Sequence, residues 1–499
     1  MRVARCHAGI AVDGASGVTP ELPWTARFRA KPAKPPELAH PWANRYPLLA
    51  VVYSPDDPIA ALATAAVSSA LAVIRVSGPG SLSLLSRIVK GGKDAAGMRS
   101  HTIHRLVIHD AGEDVDEVLL AVYKAPRSYT GQDSAEIFCH GGLPVIRRVL
   151  SLLSRSGFRP AGPGEFTQRA FLNGRMDLTR AEAVNEIVRA KTDKARALAL
   201  QRLSGAIEKR IRAVRDGLVE LRAALEVMID SPEDEPGDVI DEAKLDATVG
   251  MLENLTGTYR HGRIYQEGVA VAIAGATNSG KSSLFNMLLR QERAIVSEIH
   301  GTTRDWLEGT VSLSGIPVRL FDTAGLRSST DPLEIEGMRR TEEVIRAADA
   351  VVYLVDASRG AGAEDAELAA VRGAGAPLLP VWNKTDLPGV PPAPPGYLAL
   401  SAATGQGLDR LEKAIAEAVL GGPTLESGEP LIDSQRQRDL IQRALEALGR
   451  FREARSRGIT PDLLAVDLSD ALEALGEITG EVTSAEVLDL MFSTFCVGK

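Results

Sequence analysis

The sequence predicts three folds in one chain: an α+β domain first, an all-α helical domain next, and an α/β domain inserted into the helical one. Three observations predict this. Short β-like stretches separated by Gly and Pro occupy residues 56–170. Apolar residues then recur at spacings of three and four across residues 176–265, and helical periodicity returns across 430–499. Between those stretches, residues 266–420 alternate strand-like and helix-like runs, the pattern of a doubly wound sheet. Insertion is geometrically easy when the inserted domain's termini lie close together. The expected segments are 1–54, 55–172, 173–265, 266–423 and 424–499.

Length and composition agree. At 499 residues the chain has room for about three domains of ~150 residues. Lys and Arg number 57 against 65 Asp and Glu, a net charge of −8. With 44 % hydrophobic and 24 % charged residues, a wholly disordered chain and a bare basic nucleic-acid module are excluded. A nucleic-acid partner must bind a local basic patch, because the net charge repels phosphate. Cys6, Cys139 and Cys496 form no disulfide framework and no Cys-x-x-Cys zinc pattern, which fits a reducing, cytoplasmic compartment. No apolar run reaches ~18 residues, so no membrane span is expected.

Residues 1–54 read as a disordered extension. The first 50 residues hold 7 of the 28 prolines and have no apolar h-region. Import into an organelle through this extension is the sharper alternative, against which Asp13, Glu21 and the prolines count. In the α+β segment, Leu71–Val76, Glu117–Tyr123 and Ala135–Cys139 read as strands. Leu200, Leu203, Ile207, Ile211, Val214, Leu218, Leu221, Leu225 and Met228 then mark one face of a single long helix, ended at Asp230-Ser-Pro. Leu245, Val249, Leu252, Leu255 and Tyr259 begin a second such face.

The α/β segment carries the chemistry. Gly275-Ala-Thr-Asn-Ser-Gly280-Lys281-Ser282 lies between the apolar strand Val269–Ala274 and a helix-like run, Ser283–Leu289. That is the context a phosphate-binding loop requires. Backbone N–H groups of Asn278, Ser279, Gly280, Lys281, Ser282 and Ser283 can close around phosphates at a helix N-terminus. Lys281 can reach the β and γ phosphates, and Ser282 can ligate Mg2+. Gly301-Thr302-Thr303 stands where the first switch belongs, with Thr303 completing the magnesium shell. Asp322-Thr323-Ala324-Gly325 follows the strand Val318–Phe321 and would hold magnesium through water. Asn383-Lys384-Thr385-Asp386 follows the strand Leu378–Trp382. A carboxylate there accepts from guanine N1–H and the 2-amino group, a donor pair that adenine lacks. Ser401-Ala402-Ala403 matches the base-contacting loop. Together these motifs predict GTP as substrate and an α/β P-loop GTPase domain of the Ras-like kind. The residue after Asp-x-x-Gly is Leu326, where small GTPases carry a water-orienting Gln. Another group must orient water, and Glu334 and Glu336 lie a short loop away. Arg304 and Arg327 could offset transition-state charge.

At this point the sequence resembles the tRNA modification GTPases of the MnmE (TrmE) family. The likeness extends to Ala72-Val-Ile-Arg75-Val-Ser-Gly78 and to Ser128-Tyr-Thr-Gly131 through Glu136-Ile-Phe-Cys139-His140-Gly-Gly142. It continues in Gly164-Glu165-Phe166 through Asn173-Gly-Arg175-Met-Asp177. It closes with Gly476-Glu-Ile-Thr-Gly480 and Phe495-Cys496-Val-Gly498-Lys499. The resemblance runs from about residue 56 to residue 499.

The resemblance implies an amino-terminal folate-binding domain that also forms the homodimer, a helical domain in two parts, and the inserted GTPase. It implies an FAD-dependent partner, MnmG, and modification of the tRNA wobble uridine at C5. The group added is aminomethyl or carboxymethylaminomethyl, with a tetrahydrofolate derivative as one-carbon donor. Arg75, Glu136, Arg175 and Lys499 would bind the folate. Glu136 would face the pteridine's guanidine-like edge, and the cations would face its glutamate tail. Hydrolysis would need K+ and dimerised GTPase domains, with Asn278, Ser297, Ile299 and Thr302 around the potassium. Glu334 aligns with the family's water-orienting acid.

Departures from the family pattern are Ala65-Ala-Val-Ser-Ser-Ala70, which replaces a Gly- and Arg-bearing loop, and Ala403, which replaces a Lys. Cys139 and Cys496 are expected to be buried hydrophobes, and His140 to be structural. A ribosome-assembly GTPase switch and a one-carbon transferase with a vestigial GTPase domain are the competing readings.

Overall fold

The computed structural model describes residues 56–230, 240–290, 307–323, 343–360, 372, 375–422 and 430–499. The amino-terminal extension lies outside the described residues.

The first layer is a six-stranded sheet. In chain order its strands are β1 (Ile59–Leu62), β2 (Leu71–Ser77), β3 (Thr102–Asp110), β4 (Glu113–Tyr123), β5 (Ser134–His140) and β6 (Arg159–Pro160). Their spatial order is β3-β4-β5-β2-β1-β6, antiparallel throughout except for the parallel β1–β6 edge. Alternation does the sorting. Ala72, Ile74 and Val76 of β2 are buried in the core with Leu82 and Leu85 of helix α1 (Ser81–Ser86) and with Ile146, Val149 and Leu153 of helix α2 (Leu143–Arg155). Arg75 takes the other face of β2, and the β2–β5 register sets it opposite Glu136.

Helix α3 (Glu165–Leu172) leads into the helical part. There follow α4 (Leu178–Arg189), α5 (Asp193–Leu203), α6 (Ala206–Asp230), α7 (Glu242–Gly257) and α8 (Tyr259–Glu267). The expected single helix from Leu200 to Met228 is two helices. The apolar spacing runs unbroken through the junction, but Gly205 adopts φ +88°, which no helix interior accommodates. The break also turns Leu200 outward, where it is 43 % exposed. Tyr259 likewise opens α8 rather than continuing α7.

The second sheet has the order β12-β11-β10-β7-β9-β8. Its strands are β7 (Val269–Gly275), β8 (Leu307–Leu313), β9 (Ile316–Asp322), β10 (Ala350–Asp356), β11 (Leu378–Asn383) and β12 (Leu398–Ala399). Only the β8–β9 pair is antiparallel. Every residue of β7 and β10 is buried, the mark of central parallel strands covered on both faces. Helices α9 (Lys281–Arg290) and α10 (Leu408–Leu420) contribute Leu284, Phe285, Leu411 and Ile415 to its core.

The chain then returns to the bundle as α11 (Gln435–Ser456), α12 (Pro461–Thr479) and α13 (Ala485–Ser493). Departure and return are stapled together. Arg260 of α8 donates to Val419 O at the end of α10 (3.0 Å), and Ile432 N donates to Thr258 Oγ1 (3.1 Å). A buried charge cluster sits at the same place. Arg202 Nη2 lies 2.7 Å from Glu186 Oε2 and 2.8 Å from Asp433 Oδ2, and Nη1 donates to Leu431 O (3.0 Å). Arg202 is 2 % exposed, and Arg436 pairs beside it with Glu182. Burial pushes the Glu186 carboxyl up to about 8, against the pull of Arg202 and with the push of Asp433. Among the described residues, no helix is long and apolar enough to cross a membrane.

Candidate functional site

Strand β7 ends in the loop that opens α9, so the first amides of α9 face the end of the sheet where β9, β11 and β12 also finish. Open parallel sheets bind ligands at this edge. Asn278 is exposed at φ +65°, a left-handed position that Asn tolerates better than most residues. Gly280, at φ +104°, packs so closely on Asn383 that an added Cβ would collide with the amide nitrogen. Gly280→Ala is therefore expected to lower GTP affinity at least about tenfold, since strain of ~1–3 kcal/mol falls on the loop itself. Titration with a fluorescent GTP analogue checks this.

Lys281 is buried, and its ammonium donates to Gly275 O (2.8 Å) and Ala276 O (2.9 Å) across the base of the loop. Ser282 Oγ donates to Asp322 Oδ2 (2.9 Å). Asp322 Oδ1 is buried and has no hydrogen-bond partner among the described residues, as is true of Ser279 Oγ. An orphaned carboxylate oxygen beside a hydroxyl is a hard oxygen donor set, which suits Mg2+ completed by phosphate and water. Thr323, next in sequence, points back into the sheet and donates to Ile273 O (2.8 Å).

The other wall is tied to this one through Asn383. Its Nδ2 donates to Ser279 O (2.7 Å), and its Oδ1 accepts from Ala402 N (2.9 Å). One side chain thus fixes the phosphate loop and the 401–403 loop together. Lys384, at φ +69°, donates to Asp356 Oδ2 (2.6 Å). Burial opposes ionisation of Asp356, yet hydrogen bonds from Lys384 and Ser358 hold its carboxyl below the ordinary value. Ser401 Oγ donates to Asp386 Oδ1 (2.6 Å) and accepts from Thr404 N (3.1 Å), orienting an otherwise exposed carboxylate. Thr385 N donates to Leu400 O (3.3 Å), while Ser283 and Ala403 are exposed. Sequence reasoning missed Asp356. Its signal was an acid at the end of the apolar run Ala350–Val355, at the same sheet edge.

Ser297, Ile299, Gly301, Thr302, Thr303, Ala324, Gly325 and Glu334 lie outside the described residues, as do Arg304, Leu326, Arg327 and Glu336.

A second polar cluster lies on the first sheet. Arg75 Nε and Nη2 donate to Glu136 Oε1 (3.1 and 2.8 Å), and Nη1 donates to Gly498 O (3.1 Å). The guanidinium lies over the rings of Tyr129 (5.6 Å) and Phe166 (5.7 Å), within cation–π range. The carboxy-terminal segment is stitched to α3. Gly164 N donates to Cys496 O, and Phe166 N donates to Lys499 O. Arg75, Glu136 and the Gly498–Lys499 segment therefore come together. Arg175 is exposed and reaches the cluster only through the 129–131 loop, where its Cγ would lie 3.4 Å from a Cβ on Gly131.

The expectation for Cys496 is corrected. It is exposed, because Phe492 and Phe495 take the buried positions around it. Cys139 is buried, with Sγ 3.7 Å from Ala72 O. His140 is held by Asp116, Nδ1 to Oδ1 at 2.6 Å. Among the described residues, no group of three or more His, Cys, Asp or Glu could hold a metal by itself. The substituted 65–70 loop is exposed and clipped to Gly141 through Ser69 N.

Lys281, Ser282, Asp322 and the Asn383–Asp386 segment, gathered at one edge of a mostly parallel sheet, define a P-loop nucleotide hydrolase of the GTPase class. Known proteins narrow that class. The family described as "GTP-binding protein TrmE N-terminus" matches residues 58–175, and "MnmE helical domain" matches residues 178–496. The tRNA modification GTPase MnmE of Geotalea uraniireducens (strain Rf4) is 43 % identical over 457 residues, covering 89 % of this chain and 99 % of that one. The tRNA modification GTPase MnmE of Geobacter sulfurreducens is 43 % identical over 462 residues, with the same coverage of 89 % and 99 %. That of Carboxydothermus hydrogenoformans is 40 % identical over 460 residues, covering 89 % and 100 %. The chain belongs to the MnmE family of tRNA modification GTPases.

Proposed function

We propose that this chain is the GTP-hydrolysing subunit of an enzyme that modifies C5 of the tRNA wobble uridine. The added group is aminomethyl or carboxymethylaminomethyl, and a tetrahydrofolate derivative supplies its one-carbon unit. An FAD-dependent MnmG protein is the partner, the chain acts as a homodimer, and the setting is cytoplasmic. The observation that carries the nucleotide half is the bridge made by Asn383, which holds the phosphate loop and the base-contacting loop in one arrangement.

In this reading Lys281 leaves the carbonyls of Gly275 and Ala276 to meet the β and γ phosphates. Ser282 and Thr303 would hold Mg2+, with Asp322 as a further oxygen donor beside them. Bound magnesium supplies charge neutralisation on the phosphates. Asn278, Ser297, Ile299 and Thr302 are the groups that would hold K+, whose charge can do the work of an arginine finger. Glu334 orients the attacking water. On the first sheet, Arg75, Glu136, Arg175 and Lys499 are the residues that would hold the folate. Arg75 and Glu136 now satisfy each other, so a bound pteridine must displace part of that pair.

The test is steady-state GTP hydrolysis in potassium and in sodium, for wild type and Glu334→Ala. Hydrolysis is expected to be faster in potassium. The variant should lose about 10²-fold or more, the ordinary weight of a positioned base. Equal rates in the two salts would remove the potassium mechanism. An unimpaired variant would remove Glu334 from its role.

A further inference from the structure

A chain with a net charge of −8 that works on tRNA must concentrate cations somewhere. Residues 173–215 do so, with eleven Lys and Arg against five Asp and Glu. The fold gathers part of this excess into a cleft of about 320 Å³ between the end of α3, the start of α6 and the end of α12. Arg175, Arg180, Arg212 and Arg215 line it.

The guanidiniums are largely pre-positioned. Arg180 Nε donates to Leu203 O (3.0 Å), Arg212 Nη2 donates to Glu208 Oε1 (2.6 Å), and Arg215 pairs with Glu481. Arg215 Nε is buried with no acceptor among the described residues. Arg175 enters no ion pair among them and stands exposed at the rim. The carboxyls lining the cleft, Asp177, Glu208 and Glu481, are fewer than the guanidiniums. Beyond the cleft, the first turns of α6 carry the charge onward through exposed Lys209 and half-buried Arg210. A strip longer than one small-molecule site suits an extended polyanion. Arginine forks suit phosphate oxygens in particular.

Position adds to charge. Asn173 Nδ2 donates to Thr130 O (2.7 Å), in the loop whose Tyr129 lies against the Arg75 guanidinium. The cleft therefore borders the cluster assigned to the one-carbon donor. We propose that this arginine cleft and the exposed first turns of α6 bind the phosphodiester backbone of the substrate tRNA. The proposal rests on the tRNA-modification reading above.

The test is equilibrium binding of an unmodified tRNA transcript by the full-length chain, across ~50–200 mM salt where phosphate contacts are read out. The variants are Lys209→Gln with Arg212→Gln, and Arg212→Lys alone. The double variant is expected to bind about tenfold or more weakly, and its log–log salt slope to shrink by about one to two. Arg212→Lys, which keeps the charge but loses the fork, should keep the wild-type salt slope. GTP hydrolysis without tRNA and the thermal transition should not change, since both side chains are exposed. Wild-type affinity and slope in the double variant would overturn the cleft assignment alone. Weaker binding of a tetrahydrofolate polyglutamate by the double variant, with tRNA binding intact, would also overturn it and make the cleft a carboxylate-tail site. A wild-type chain that binds no tRNA at any salt would overturn the functional reading together with it.

Discussion

Asp386→Asn is expected to lower GTP affinity by about 10³-fold or more and to raise affinity for xanthosine triphosphate. The carboxylate can accept from both guanine N1–H and the 2-amino group. An amide presents a donor where guanine also donates, so one hydrogen bond becomes a clash of donors. Xanthine carries a carbonyl in place of the amino group and accepts from that amide. The geometry favours a full-sized effect, because Ser401 Oγ already fixes one Asp386 oxygen at 2.6 Å. Competition between the two nucleotides for the variant reads the shift directly. Unchanged GTP affinity would refute the role given to Asp386.

The second large effect is on stability. Arg202→Met is expected to cost about 3–5 kcal/mol above pH 8, where Glu186 and Asp433 would be left in the interior as anions without their cation. The wild-type cluster should also make stability depend on pH. The folded Glu186 carboxyl titrates at about 8, against 4.5 when unperturbed. Below the unfolded value both states hold the proton, and its contribution is fully present. As pH rises from there towards about 8, the unfolded chain releases the proton while the folded chain keeps it, so stability falls. Glu186→Gln should flatten this fall, leaving the melting temperature at about pH 8.5 closer to that at about pH 6 than in wild type. A wild-type melting temperature that rises over this window would refute the assignment.

The nucleotide site was legible because its parts are local. A strand, a glycine loop and a helix follow one another from Val269 to Arg290, and the Asn383–Asp386 and Ser401–Ala403 segments each come at or just past the end of their own strand. What tied them together was not legible. Asn383 joins Ser279 to Ala402, and no spacing rule connects those positions. The same holds for Arg202, whose partners lie on α4 and on the segment returning from the second sheet. The break at Gly205 escaped because periodicity reports which side a residue faces, not whether the helix continues. Cys496 was misread for a related reason. A small thiol in an apolar neighbourhood suggests burial, but Phe492 and Phe495 had already filled the space. The Arg75–Glu136 pairing, by contrast, follows once β2 and β5 are aligned, because their register places the two opposite each other.

Arg75 and Gly498 meet across 423 residues of chain. On a ribosome adding about 5–20 residues per second, roughly 20–80 s separate the synthesis of the two. Once Pro160 has been made the first sheet has all its strands, while the segment that completes its polar cluster has yet to be made. A nascent chain can assemble its nucleotide pocket before it can assemble this one. Premature termination just short of the last few codons would therefore leave the nucleotide loops in the product but remove the carbonyl that holds Arg75 in place.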